Sequence, residues 1–392
     1  MTPNPFTKQY LMTAGPTPVP PKVSQVMAEP VLYHRAPAFV EVYERVLAKL
    51  GYVFQSENDV LAFAASGSGA MESAVANLVR PGTPVLACAA GKFGERWIEL
   101  CDSYGGETVR YEPGWGERLD PAEVERLLGV HAEVGVVFAT LSETSTGIVH
   151  DVAAIAEVAR AHDALLVVDA VSGLGAAELR QDEWGIDVVV AGSQKALMCP
   201  PGLAFASVSQ RALDVAAESP GGRYYFDWAR TAKAQRKGDS PFTPPVTLFM
   251  ALDVSLDMIH EEGLEDVLAR HALLARATRA GAAALGLDLF GDPDERATVV
   301  TAIELPETID GGKVPGALRR LGITANGGQG ELAGRILRIA HCGYFGAFDI
   351  LTTLSGLEMV LHELGAEVEH GAGVGAAQRV FLEAGVIAAP AA

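Results

Sequence analysis

Ala164-Leu165-Leu166-Val167-Val168-Asp169 is an unbroken apolar run closed by a carboxylate. Leucine and valine without alternation describe a strand covered on both faces, the environment of a parallel sheet. The same texture recurs at Thr83–Cys88 (TPVLAC), Val134–Ala139 (VGVVFA), Ile186–Ala191 (IDVVVA) and Leu203–Val208 (LAFASV). Helical patterns lie between these runs at Ala70–Val79, Pro121–Leu128 and Asp151–His162, the last with Asp151 suited to cap it. Strands alternating with helices predict a doubly wound α/β layer with right-handed crossovers.

Beyond about residue 245 the texture changes. Two long helical stretches, Val246–Glu262 and Leu264–Ala284, precede strand-like runs at Ala297–Leu305 and Arg335–His341. Further helices are expected at Val314–Leu321, Phe348–Leu364 and Ala376–Ala384. The expected division is an N-terminal arm (1–20), a large mostly parallel α/β domain (21–260) and a smaller α+β C-terminal domain (261–392).

The chain has 392 residues, 49% hydrophobic and 20% charged, the composition of a globular protein with a large core. Its net charge of −19 repels phosphate backbones and anionic lipid surfaces, so neither nucleic acid nor a membrane is an expected partner. Cys88, Cys101, Cys199 and Cys342 form no CxxC pair, which fits a reducing cytoplasm, and the nine histidines offer no metal constellation. The start, MTPNPFTKQY, lacks the design of a signal peptide; the end, GVIAAPAA, is bland; and no apolar stretch is long enough to span a bilayer. A soluble cytoplasmic protein is expected.

Four features of the large layer carry chemistry. Ser66-Gly67-Ser68-Gly69 precedes a helix, and a glycine-rich turn entering a helix presents N–H groups to an anion. An ordinary tight turn reads the same way. Asp169 ends a buried strand, where α/β folds place ligands, although a turn-capping Asp occurs there equally well. Lys195, in Gly192-Ser193-Gln194-Lys195, follows the next apolar run. Burial would favour its neutral, nucleophilic form, whereas a loop surface would leave it an ordinary lysine. Phe93, in Gly91-Lys92-Phe93-Gly94-Glu95-Arg96, could stack on a flat ring or fill a core. Together, a phosphate cradle, a strand-end acid and a strand-end lysine are the three attachments that pyridoxal phosphate needs.

At this point the sequence resembles the class V aminotransferases among fold-type I pyridoxal-phosphate enzymes, most of all the alanine–glyoxylate, serine–glyoxylate and serine–pyruvate branch. The motifs SGSGAMESA, GKFGER, SETSTG, VVDAVSGLG, GSQKAL and RILRIAH carry the resemblance, which runs from Met12-Thr13-Ala14-Gly15-Pro16 to Arg338. It implies that Lys195 forms the Schiff base and shuttles the Cα proton, while Asp169 holds the pyridine nitrogen. It implies that Ser68, Gly69, Ala70 and Gln194 line the phosphate site. Phe93 would stack on the ring, Val171 would pack on the opposite face, and Thr144 would sit near the ring hydroxyl. Arg338 would pair with the substrate carboxylate beside Gly15. The family's phosphate site is completed across a homodimer, which makes Thr243, in Ser240-Pro241-Phe242-Thr243-Pro244-Pro245, the expected contact in trans. Two positions depart from the pattern. Ser240 stands where relatives often carry tyrosine, so that phosphate hydroxyl is either missing or supplied by Tyr224, Tyr225 or Lys237, and Ala70 offers only its N–H.

The implied reaction is a ping-pong transamination between a small amino acid, alanine or serine, and glyoxylate or pyruvate. A dicarboxylate donor needs a second cation, and Arg35, in Tyr33-His34-Arg35-Ala36-Pro37, is the candidate that keeps aspartate open. Other readings are a lyase or cysteine desulfurase, for which the segment 326–331 lacks a nucleophilic cysteine, and a catalytically silent binding subunit. A nucleotide-binding dehydrogenase is disfavoured because GxGxxG spacing is absent.

Overall fold

The structure, a computed structural model, describes residues 8–219, 222–291 and 296–386. The first residues of the expected arm (1–7) and the end of the C-terminal tail (387–392) lie outside the described residues. In chain order the strands are β1 (Tyr10–Leu11), β2 (Asp59–Phe63), β3 (Pro84–Cys88), β4 (Glu107–Tyr111), β5 (Val136–Thr140), β6 (Ser142–Glu143), β7 (Ile148–Val149), β8 (Leu165–Asp169), β9 (Val188–Gly192), β10 (Ala204–Val208), β11 (Val300–Glu304), β12 (Ile323–Thr324), β13 (Asn326–Gly327) and β14 (Ile336–Ala340).

Seven of them form one sheet in the order β2-β10-β9-β8-β5-β3-β4. The β8 sequence explains its central place. Leu166 and Val168 face a core containing the helices Pro37–Phe54 and Val246–Glu262, while Leu165 and Val167 face a second core beneath the helix Gly67–Leu78. Pleating sends successive side chains to opposite faces, so burial of both faces requires an unbroken apolar run. The sheet is parallel except for β10, which pairs antiparallel with both β2 and β9. The turn between β9 and β10 contains no crossover helix, and a chain that returns directly to the same edge must return antiparallel.

A second sheet, β11-β14-β13, is antiparallel. It packs with helices Leu264–Ala284, Ala347–Glu363 and Ala372–Glu383 around a separate core. The N-terminal stretch is built into that layer: β1 pairs parallel with β12, and Met12 and Ala14 are buried in the same core. The chain then runs from the small layer straight to Gly15, against Lys195 of the large one. Thus part of the expected arm is sheet and core, because residues 10–14 supply apolar side chains and edge N–H groups that the small sheet uses.

Candidate active site

Parallel strands point their C-terminal ends to one edge, and the chemistry collects there. Thr140 ends β5 directly opposite Asp169 at the end of β8, and Asp169 in turn pairs with Val190 of β9, two residues before Gly192. The Gly192–Lys195 turn therefore places lysine beside the carboxylate.

Lys195 has a buried amine that donates to the Ala14 carbonyl. Burial pushes its pKa down; Arg338 and Arg96 add to this, and Asp169 and Cys342 oppose it. Gly15 has φ +141°, and a Cβ there would overlap the lysine side chain, with Cδ at 2.6 Å, so only glycine passes this point. Asp169 is 5% exposed and accepts from Val171 N–H at 2.7 Å. Burial raises its pKa from 3.8 to about 6, with Glu143 raising it further while the Val171 N–H, Arg96 and Lys195 pull it down.

The helix expected from Ala70 begins at Gly67, so Ser68, Gly69 and Ala70 lie in its first turn. Ser66 stands at the N-cap without a side-chain cap; Gly69 and Ala70 N–H donate to Ser66 O, which leaves the Gly67 and Ser68 N–H groups for an anion. Packing sets that turn close to the sheet end. A Cβ on Gly67 would come within 2.7 Å of Val171, and one on Gly192 within 2.8 Å of Gln194 Oε1 and 3.4 Å of Gly67 Cα. Gln194 Oε1 and Thr140 Oγ1 are buried without a hydrogen-bond partner. The free Thr140 hydroxyl, an uncapped helix start, a strand-end carboxylate and a buried amine are groups that would suit pyridoxal phosphate, with the phosphate at the helix start, the ring nitrogen at Asp169 and the aldehyde at Lys195.

Phe93 is half-buried in the first turn of the helix Lys92–Ser103, with the Arg96 guanidinium 5.1 Å from its ring centroid. Thr144 lies in the β6–β7 turn, which closes at Gly147 with φ +80° against Ala302 of β11. Through this contact the turn reaches the small sheet, and Arg338 Nη1 donates to Thr144 O at 2.7 Å. Arg338 Nε donates to Gly327 O at 2.9 Å. With Nε and Nη1 held by two carbonyls, Nη2 is the guanidinium nitrogen left to meet a carboxylate. Arg338 is 5% exposed; burial pushes its pKa down to about 10, with Glu143 acting in the opposite sense.

Arg35 pairs with Asp239 at 3.7 Å and is influenced by Tyr33; none of its partners belongs to the Lys195–Asp169–Arg338 group. It sits in an exposed segment, and its partner Asp239 directly precedes the Ser240–Pro245 strip. Ser240, at the position where relatives often carry tyrosine, donates its Oγ to Phe242 O at 2.6 Å and closes its own loop. Tyr225 stacks on Phe242 at 4.7 Å, and Tyr224 carries Arg230 over its ring, while Lys237 and Thr243 are exposed.

Sequence reasoning missed Glu143, Thr140, Arg96 and Asn326, whose Oδ1 accepts from Ala14 N–H at 3.1 Å. The strand-end position of Glu143 in SETSTG was the available signal. Cys342 is buried near Lys195, and burial pushes its thiol up to about 11, the opposite of an activated nucleophile.

Residues 9–338 match the family Aminotransferase class-V. The chain is 42% identical over 382 residues to the soluble hydrogenase, small subunit, of Synechococcus sp. (strain PCC 6716), covering 96% of this chain and 99% of that one. It is 36% identical over 376 residues to the L-aspartate–glyoxylate aminotransferase of Paracoccus denitrificans, with 94% and 95% covered. It is also 36% identical over 388 residues to the serine–glyoxylate aminotransferase of Methylorubrum extorquens, with 96% of each covered. The solved ureidoglycine–glyoxylate aminotransferase of Bacillus subtilis superposes with TM-score 0.92 at 34% identity, covering 97% of this chain and 99% of that one. With this match over most of its length, the chain belongs to the class-V aminotransferase family and is a pyridoxal-phosphate-dependent transaminase.

Proposed function

We propose that the enzyme moves an amino group from alanine or serine to glyoxylate or pyruvate in two half-reactions. The observation that carries this reading is a buried amine, Lys195, whose charge is acted on by both a buried strand-end acid, Asp169, and a buried guanidinium, Arg338. When bound, pyridoxal phosphate supplies an electron sink for the substrate Cα. Asp169 keeps a proton on the ring nitrogen by pairing with it in its ionised form. Lys195 Nζ holds the cofactor at rest. Once released, it takes the proton from the substrate Cα, which its depressed pKa favours because the neutral amine is the base. Arg338 fixes the substrate carboxylate and so orients the Cα–H bond towards that amine.

Thr243 would act on the phosphate of a second copy, in a homodimer. Its exposure beside the stacked Tyr225–Phe242 pair supports a surface offered to another chain. A cytoplasmic location is supported by four free, buried cysteines. Among the described residues no helix is long and apolar enough to cross a membrane.

One observation favours a second donor. The 36% identical Paracoccus relative is named for aspartate, and Arg35, exposed on the Thr243 strip, could serve a partner's pocket as the second cation. A matrix of alanine, serine, aspartate and glutamate against glyoxylate, pyruvate and 2-oxoglutarate tests both. Highest kcat/KM with alanine or serine on glyoxylate or pyruvate supports the main reading. A preference for aspartate that disappears in Arg35→Ala replaces it.

A further inference from the structure

Glu143 is a carboxylate with 1% exposure at the end of β6, and neither the proposed chemistry nor the family motifs give it a task. All four described hydrogen bonds to the carboxylate oxygens come from elements that hold the site. Phe93 N–H and Gly94 N–H donate to Oε2 at 3.0 and 2.9 Å. Ser145 N–H and Ser145 Oγ–H donate to Oε1 at 3.1 and 2.6 Å, and Ser145 Oγ also accepts from Lys92 N–H at 3.0 Å. The carboxylate thus ties the first turn of the helix Lys92–Ser103 to the β6–β7 turn. Each tied element presents one working group: Phe93 on the first, and on the second the Thr144 carbonyl that Arg338 Nη1 grips. Space is closed around the tie, since a Cβ on Gly91 would come within 2.6 Å of both Glu143 Cγ and Ser145 Oγ.

A buried carboxylate is costly unless it is fully hydrogen-bonded, and an apolar side chain in its place would leave the Phe93, Gly94 and Ser145 donors unpaired. What an apolar side chain cannot do is set direction. Bonds from two N–H groups on one oxygen and from an N–H and an O–H on the other fix both segments in register with one planar group. Burial pushes the Glu143 pKa up while its Ser145, Gly94 and Phe93 donors pull it down, and the group acts electrostatically on both Arg338 and Asp169.

We infer that Glu143 is a positioning residue that couples the cofactor side of the site to the substrate side, holding Phe93 and the Thr144–Arg338 pair in one geometry. This rests on the assignment of Phe93 to the cofactor and Arg338 to the substrate. The test compares Glu143→Gln, Glu143→Asp and Ser145→Ala with Phe93→Leu and Arg338→Lys in the full-length protein. Pyridoxal phosphate affinity is measured by fluorescence titration of the cofactor-free chain, and KM and kcat for alanine are measured on the loaded enzyme. Phe93→Leu should weaken cofactor binding alone, and Arg338→Lys should raise the alanine KM alone. Glu143→Gln should move both, each by about tenfold or more. Glu143→Asp should recover part of both, because it restores the charge, and Ser145→Ala should move both in the same direction by a smaller factor. On an Arg338→Lys background Glu143→Gln should raise the alanine KM by less than it does alone. The inference is overturned if Glu143→Gln lowers only the melting temperature and leaves cofactor Kd and alanine KM unchanged. If that chain does not fold, wild-type values in Ser145→Ala overturn it. If Phe93→Leu and Arg338→Lys themselves leave both constants unchanged, the site assignment fails first and this inference with it.

Discussion

Replacing Arg338 by lysine isolates the carboxylate anchor. The side chain is 5% exposed and donates through Nε to Gly327 O and through Nη1 to Thr144 O, at 2.9 and 2.7 Å. A planar guanidinium satisfies both carbonyls and still offers Nη2 to a carboxylate. An ammonium is a point donor that cannot reach all of these acceptors, so Arg338→Lys loses at least one charge-assisted bond to substrate. Such a bond contributes about 1.5–3 kcal/mol. At 1.36 kcal/mol per tenfold, kcat/KM for alanine should fall by about 10–150-fold. The loss should vanish for an amine that has no carboxylate. The assay is the first half-reaction, followed by cofactor absorbance, with alanine and with ethylamine on wild type and variant. Alanine should lose its advantage over ethylamine while ethylamine reacts at the wild-type rate. An unchanged alanine constant, or an equal loss with both amines, would refute the argument.

Asp169, with its pKa raised from 3.8 to about 6, protonates more readily folded than unfolded. Cofactor-free protein should therefore lose stability as pH rises from about 4 to about 6, by roughly 3 kcal/mol at most. Urea titrations of Asp169→Asn should lack this slope, and the variant should also lose the tightening of cofactor binding as pH rises through 6; a slope equal to wild type argues against a buried acid. Gly15→Ala places a Cβ on the Lys195 side chain at a φ of +141°, a strain of about 1–3 kcal/mol, and should abolish the lysine-bound cofactor absorbance. A normal spectrum would show that the lysine has another path. Lys195→Ala and Thr243→Ala chains, each impaired alone, should regain wild-type cofactor affinity in half the sites of a mixed dimer, because one site then pairs native Lys195 with native Thr243. Mixed samples no better than the separate variants would place Thr243 outside the partner's site.

Long apolar strands were legible because their environment is the same on both faces: β5, β8 and β9 are buried at every position and read as unbroken runs. The edge strand β4, half-exposed with the sequence ETVRY, was passed over for the converse reason. The direction of β10 was not readable, since hydrophobicity carries no polarity and only the missing helix before it hinted at a return. At the site, Asp169 and Lys195 stood out as charges closing apolar runs. Glu143 did not, because what keeps a buried carboxylate there is a set of donors from Phe93 and Gly94, far away along the chain.

The local alphabet of this protein, meaning which segments are buried strands, which turn can receive an anion, and which acid and amine end adjacent strands, is written in residue order, because burial pattern and backbone preference act over a few neighbours. Residue order does not reveal that Ala14 receives the Lys195 amine, that two carbonyls aim Arg338, or that Arg35 turns to Asp239. Those are contacts between segments distant in the chain, set by how two layers pack, and hydrogen-bond direction exists only once both partners are in place.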